Sequence, residues 1–369
     1  MTIPRKVFVL LLLAFVLALA SGCTGRNLTA ATGWSGATLS GDLLYLGTME
    51  GRVLALEVAS LGSERWRFPK GDKDERLEPV YGPPAVTDGR VYVGTYGGKV
   101  YALDAASGNK VWEFDTGGQI VGGPAVADGL VAIGYADGLY VIDAQDGGRR
   151  CRFPAQGKIG KVWSTPAIAQ GVVYFGSLDY NVYAVNLADC QERWRFPTKG
   201  AVAATPLVHQ GVVYVGSFDR TFYALDDTAL AEDRERKVLW TFQGAKNWFW
   251  SGVVTDGELV FVPSMDWRLY ALRIRDGTLA WGSAFDAGGP ILSTPTIAGS
   301  RVTVASDAGR VHVLDRRSGA EEWSYKVDAK VRAPLVAAGD RVYLSALDHS
   351  VRAVNVERGR QEWQVSTKQ

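Results

Sequence analysis

Apolar and polar positions alternate in short runs along most of the chain, and the runs come in sets of four. One set reads Pro84-Ala85-Val86-Thr87-Asp88-Gly89, then Val91-Tyr92-Val93-Gly94, then Val100-Tyr101-Ala102-Leu103-Asp104, then Ser107-Gly108 and Trp112-Glu113-Phe114. Runs of period two, rich in β-branched and aromatic residues and joined by Gly and Asp, predict short strands and tight turns. The set recurs. Its closing Trp stands at 66, 112, 194, 240, 281, 323 and 363, and Cys151 fills the missing place. A mean period of about 42 residues is that of four-stranded propeller blades. The pattern predicts an all-β chain: an eight-bladed β-propeller of four-stranded antiparallel blades over residues 34–369, its strands lettered A to D from the inside outward. The first and last units are both whole, so packing of blade eight on blade one is expected to close the ring. After residue 33, helical periodicity is confined to a short stretch, Thr228 to Arg236.

The first residues follow a different pattern. Arg5 and Lys6 precede an unbroken apolar run from Val7 to Ala20. A bilayer span needs about 20 apolar residues, so this shorter run reads as a signal peptide over residues 1–22. It ends in Leu19-Ala20-Ser21-Gly22-Cys23, which resembles the lipobox of bacterial lipoproteins. The resemblance implies a lipidated Cys23 at the mature N-terminus, a polar tether over residues 23–33 and an extracytoplasmic, membrane-anchored protein: on the periplasmic side of a membrane, or at the outer surface of a monoderm.

Composition narrows the chemistry. Lys and Arg number 40 against 39 Asp and Glu, a net charge of +1, which argues against a nucleic-acid partner held by a global basic field. Three His and three Cys leave little material for a polynuclear metal site. His209, His312 and His349 share no ligand spacing, and no nucleophile elbow, phosphate loop or HExxH motif is present. Asp179, Asp219, Asp266, Asp307 and Asp348 recur in the turns between strands B and C, where Asx chemistry accounts for them.

Strand topology assigns loops to faces. In an up-and-down blade, the D→A and B→C connections share one end. The five Trp outside the closing positions, Trp34, Trp163, Trp248, Trp250 and Trp267, all fall in these connections and therefore on one face. Three residues before the Pro of strand A, the ring reads Trp34, Tyr81, Val121, Trp163, Ala203, Trp250, Leu292 and Val331, the expected rim of the central channel. Lys158, Lys161, Lys199, Lys246, Lys330 and Arg332 lie in loops of the same face. Aromatics there can simply plug the channel. They can also form an aromatic, basic binding face for a peptide or an anionic ligand, since Tyr, Trp and Arg dominate interface hot spots. Charged insertions interrupt the repeat at Lys70 to Glu78 and at Asp227 to Lys237.

The closing motif resembles the tryptophan-docking motif of the pyrroloquinoline-quinone-like propeller repeat, found in quinoprotein alcohol dehydrogenases and in outer-membrane assembly lipoproteins. It is carried by Ala102, Asp104, Ser107, Gly108 and Trp112, by Ala271, Gly277 and Trp281, by Asp315, Ser318, Gly319 and Trp323, and by Ala353, Asn355, Gly359 and Trp363. In that family the Trp of one blade stacks on the Gly of the next. Cys151 stands at the Trp position of blade three and Cys190 at the Gly position of blade four. The resemblance therefore implies a Cys151–Cys190 disulfide, consistent with an oxidising compartment. It also implies a non-catalytic, monomeric scaffold that binds a protein or peptide partner on the D→A/B→C face, with no cofactor. The alternatives are a quinoprotein holding pyrroloquinoline quinone with calcium, and a sensor of sugars or cell-wall fragments. Against the quinoprotein, the sequence has no adjacent Cys pair and no long catalytic insertion.

Overall fold

The computed structural model describes residues 35–71, 76–228 and 237–368. The leader, Cys23, the tether and Trp34 lie outside the described residues, as do residues 72–75 of the first charged insertion, most of the second and all but Thr228 of the short helical stretch. The described residues form 32 strands in eight four-stranded antiparallel sheets, each a meander of consecutive strands. The blades span 37–68, 85–115, 125–153, 167–197, 207–242, 254–286, 296–326 and 336–366. Within a blade, strands B and C are almost wholly buried while strand D buries mainly its closing aromatic. This follows from position: B and C are covered on both faces by neighbouring blades, and D is the outer edge. Blade six departs from the pattern, with strand D reduced to Phe285–Asp286 and Trp281 in an irregular stretch before it.

Eight apolar clusters lie between blades, and each seam is fastened by the closing residue. Trp66 Nε1 donates to the Ala105 carbonyl at 2.8 Å, and its ring lies against Gly108 of blade two. Gly108 has a φ of +70°, and a Cβ there would sit 2.5 Å from the indole, so only glycine serves. Trp112, Trp240, Trp281 and Trp323 repeat the arrangement on Gly147, Gly277, Gly319 and Gly359. Ring closure uses it too: Trp363 of blade eight docks on Gly62 of blade one. A shared cluster of Leu44, Leu46 and Leu54 with Tyr343 and Val351 backs that contact. No blade borrows a strand from the other terminus, as the whole units of the sequence imply.

Two consecutive seams are built differently. Between blades three and four, Cys151 and Cys190 form a disulfide with Cα atoms 5.8 Å apart. Cys190 has a φ of +57°, the left-handed conformation of the Gly it replaces. Between blades four and five, Trp194 Nε1 donates to the Asp227 carboxylate at 2.9 Å, and the buried Lys237 ammonium covers its ring at 4.0 Å.

Candidate functional site at the channel mouth

Five D→A loops, those leading into blades two, four, five, six and seven, are clamped to two blades before strand A begins, and the loop into blade eight is held by its own blade. One loop carbonyl accepts from the B–C turn of the same blade: Tyr96 N–H donates to Pro79, Leu178 to Lys161, Phe218 to Ala201, Met265 to Trp248, Asp307 to Pro290 and Leu347 to Lys330. The next residue donates backwards to the turn of the preceding blade: Val80 to Thr48, Val162 to Tyr135, Val202 to Ser177, Phe249 to Ser217 and Ile291 to Ser264. These second residues are buried. Several pack on the Gly that ends strand B, which explains the Val-Tyr-Val-Gly signature. A Cβ on Gly216 would lie 2.2 Å from the Cβ of Phe249. The third residue of each loop is then presented at the mouth.

Tyr81, Val121, Trp163, Ala203, Trp250, Leu292 and Arg332 line that mouth together. Val331 does not. It is fully buried in the cluster between blades seven and eight, and Arg332 takes the rim position. Pro334 stands one residue further from strand A (Val336–Ala338) than the corresponding Pro of other blades, so counting from Pro misplaces blade eight by one.

The aromatics form a continuous stack. Trp248 lies 4.7 Å from Phe218, nearly parallel, Phe218 lies 5.3 Å from Trp250, and Trp250 leans on Trp163 at 6.3 Å. Tyr81 packs on Tyr96 at 5.3 Å, and burial, then Tyr96, raises its pKa. Trp248 is 43% exposed at the outer end of the stack. Trp267 is half exposed in the blade six B–C turn, and among the described residues no ring contact joins it to the stack. Lys161 accepts the Leu178 N–H with its carbonyl and turns its side chain to solvent. Lys158 pairs with Asp137 at 3.0 Å.

Arg332 is held by a bidentate pair with Asp307, at 3.0 and 2.7 Å. Asp307 shares a turn column with Tyr96 and Phe218, one place before Asp179, Asp219 and Asp266. Its carboxylate is an ion-pair partner of Arg332 and not one of the same Asx set. Tyr96 and Phe218 are not singled out in the sequence reading. The signal was present: two residues after the Gly position of the Val-Tyr-Val-Gly signature, the turns read Met49, Tyr96, Leu178, Phe218, Met265, Asp307 and Leu347, and most of these are large and apolar. The aspartates of the next column are engaged internally. Asp179, Asp219 and Asp266 each accept a turn N–H, a loop N–H and the hydroxyl of Tyr183, Tyr223 or Tyr270. Burial and then the carboxylate push those three phenols up.

The residues present do not fit a quinone with calcium. The space at the mouth is about 90 Å³, against roughly 300 Å³ or more for a small-molecule site. Among the described residues no three His, Cys, Asp or Glu side chains are grouped to hold a metal.

The profile of the family described as "Outer membrane protein assembly factor BamB" matches residues 50–165, 139–243, 228–307 and 287–369. The outer membrane protein assembly factor BamB of Moranella endobia is 23% identical over 333 residues, covering 86% of this chain and 84% of that protein. The crystal structure of BamB from Moraxella catarrhalis superposes with a TM-score of 0.73 at 17% identity, covering 86% of this chain and 95% of that one. A europium-containing methanol dehydrogenase superposes with a TM-score of 0.66 at 13% identity, covering 88% and 83%. At these identities the two structural likenesses concern the fold alone. The profile runs through every blade of the tryptophan-docked ring, and the chain belongs to the PQQ-like propeller family described as outer membrane protein assembly factor BamB.

Proposed function

We propose that the chain is a non-catalytic scaffold that binds a protein partner in outer-membrane protein assembly through the mouth face of its propeller. The observation that carries the reading is the stack of Trp248, Phe218, Trp250 and Trp163 at one mouth. Large rigid aromatics bury much area at little entropic cost, and here they are locked by the loop clamps. The carboxylates of the face are tied into turns and an ion pair, which supports binding over acid–base chemistry. Membership of the family named for assembly factors supplies the process. A lipid on Cys23 would anchor the monomeric propeller on the extracytoplasmic side of the membrane.

Affinity purification from detergent-solubilised outer membranes tests the partner. A β-barrel assembly protein is expected with the unchanged chain and lost with Trp163→Ala/Trp250→Ala, whose circular dichroism stays that of a folded propeller. Unfolding of the double variant makes the aromatics structural plugs and overturns the binding reading. For the anchor, Cys23→Ser should leave an unprocessed precursor or release the protein from membranes; normal processing with membrane retention removes it.

A further inference from the structure

The fourth residue after the Gly position of the Val-Tyr-Val-Gly signature takes a left-handed backbone in most B–C turns. Blades one, two and seven place glycine there: Gly51, Gly98 and Gly309, with φ of 74°, 92° and 74°. Three consecutive blades do not. Blade four has Tyr180 at φ 73°, blade five Arg220 at 68° and blade six Trp267 at 77°. Side chains with a Cβ are strained in this region, bulky ones most of all, and such strain persists only where something compensates it. His349 of blade eight shows an internal compensation, since it is mostly buried with its Nδ1 2.5 Å from Glu50. Tyr180 and Trp267 are instead about half exposed, and Arg220 is exposed. Nothing within the fold explains their size.

The most exposed charges of this sector are cations, while its three turn carboxylates, Asp179, Asp219 and Asp266, are partly buried and hydrogen-bonded. Lys161, Lys199, Arg220 and Lys246 are exposed, and among the described residues none of these side chains has an ion pair. The nearby carboxylates of Asp179, Asp219 and Asp266 are occupied by turn and loop N–H groups and by tyrosines. Asp286 pairs with Arg268 at 3.2 Å. A groove of about 360 Å³ runs beside Arg220, lined by Lys199, Asp219, Thr221, Gln243 and Ala245; the Asp219 carboxylate there is engaged by the Lys199 and Thr221 N–H groups and the Tyr223 hydroxyl.

We propose that Tyr180, Arg220 and Trp267 form a docking strip across blades four to six for an acidic polypeptide segment bearing aromatic or apolar side chains. Tyr, Arg and Trp are the residue types that carry most binding energy at protein interfaces. The exposed, unpaired cations stand outward of the hydrogen-bonded carboxylates and favour acidic partners. The strip names the partner chemistry for the protein-binding reading above and rests on that reading, but it lies in the turns outside the rim. The strained backbone gives the test its leverage. Glycine is the conformationally easy residue at these positions, so Tyr180→Gly, Arg220→Gly and Trp267→Gly remove the side chain without loss of fold.

The probe is a short fluorescent peptide alternating Glu and Phe, with a Lys/Phe peptide as control, titrated against the protein by anisotropy. The expected result is binding of the Glu/Phe peptide alone, weakened at least about tenfold by Arg220→Gly or Trp267→Gly. The melting temperatures of the variants should be unchanged or raised. Equal binding of both peptides, affinity kept in the glycine variants, or a fall in their melting temperature overturns the strip. So does preferential binding to phosphatidylglycerol vesicles over the peptide. In the membrane purification above, the strip fails alone if the triple glycine variant still captures the assembly partner. If the unchanged chain captures none, the scaffold reading fails, and the peptide titration still decides the strip.

Discussion

The Arg332 guanidinium grips the Asp307 carboxylate across the seam of blades seven and eight, at the two positions where Trp250 stacks on Phe218 across the seam of blades five and six. One geometry therefore supports an ionic or an aromatic pair. Both members of the ionic pair are mostly shielded from solvent. Asp307→Ala removes the carboxylate that pairs with the partly buried Arg332 guanidinium and is expected to cost about 2 kcal/mol in urea unfolding. Asp307→Phe with Arg332→Trp copies the other seam and should recover most of that loss. No recovery would show that the seams are not equivalent.

The disulfide closes a loop of 39 residues, for which the chain-entropy relation gives about 4 kcal/mol. Cys151→Ser with Cys190→Ser should lower stability by an amount of that order. Cys151→Trp with Cys190→Gly should restore part of it, because it rebuilds the docking contact of the other seams. Thermal unfolding of the three proteins, with and without reductant, measures both effects. A serine pair as stable as the disulfide form would refute the first.

Lys237 is 3% exposed over the Trp194 ring. Burial lowers its pKa to about 8, against the pull of Asp227 and Asp226. An unfolded lysine titrates near about 10.4. Between these values the unfolded chain binds more protons, so this group makes stability rise with pH from about 8 to about 10.4, with its full penalty present below pH 8. The attraction of an ammonium to an indole is about 1–2 kcal/mol, less than the roughly 3 kcal/mol that a shift of this size represents. Lys237→Met keeps the stem on the ring and should raise stability at pH 7 by about 1 kcal/mol while removing the slope. Urea unfolding across that pH range checks it; an unchanged slope would sink the assignment.

Gly216→Ala tests the loop clamp. The backbone there suits any residue, but the new Cβ meets the Cβ of Phe249, which has no flexible end to move aside. A loss of about 3 kcal/mol is expected. Gly257→Ala, in an open but left-handed turn, should cost about 1 kcal/mol through backbone strain alone. Comparable losses at both sites would mean that the clamp does not hold Phe249 in place.

The ring was legible because each blade repeats the same alternation, and an average over eight copies outweighs local irregularities such as the short strand D of blade six. The disulfide was legible through the docking motif, since two exceptions fell on partner positions. Blade eight was misread by one residue because Pro334 marks the loop rather than the strand, whereas hydrogen-bond register depends on the strand. Phe218 was missed, and Asp307 was grouped with the Asx turn aspartates although it pairs with Arg332, because the mouth is built from two loops per blade and only one was aligned. The strain at Tyr180, Arg220 and Trp267 is a backbone property. A side-chain pattern does not display it until the turn register is known.

Seven of the eight seams are crossed by the polypeptide itself, through a D→A loop that in five of them is hydrogen-bonded to both blades. The seam between blades eight and one is bridged by Trp363 on Gly62, His349 beside Glu50 and the shared leucine cluster, without a connecting loop. The propeller is thus a split washer, and its gap has a fixed address. On heating, it should part there first, with blades one and eight exchanging their amide hydrogens ahead of the covalently stitched blades. Joining the present ends and cutting a different D→A loop would move the gap to another seam while preserving every blade.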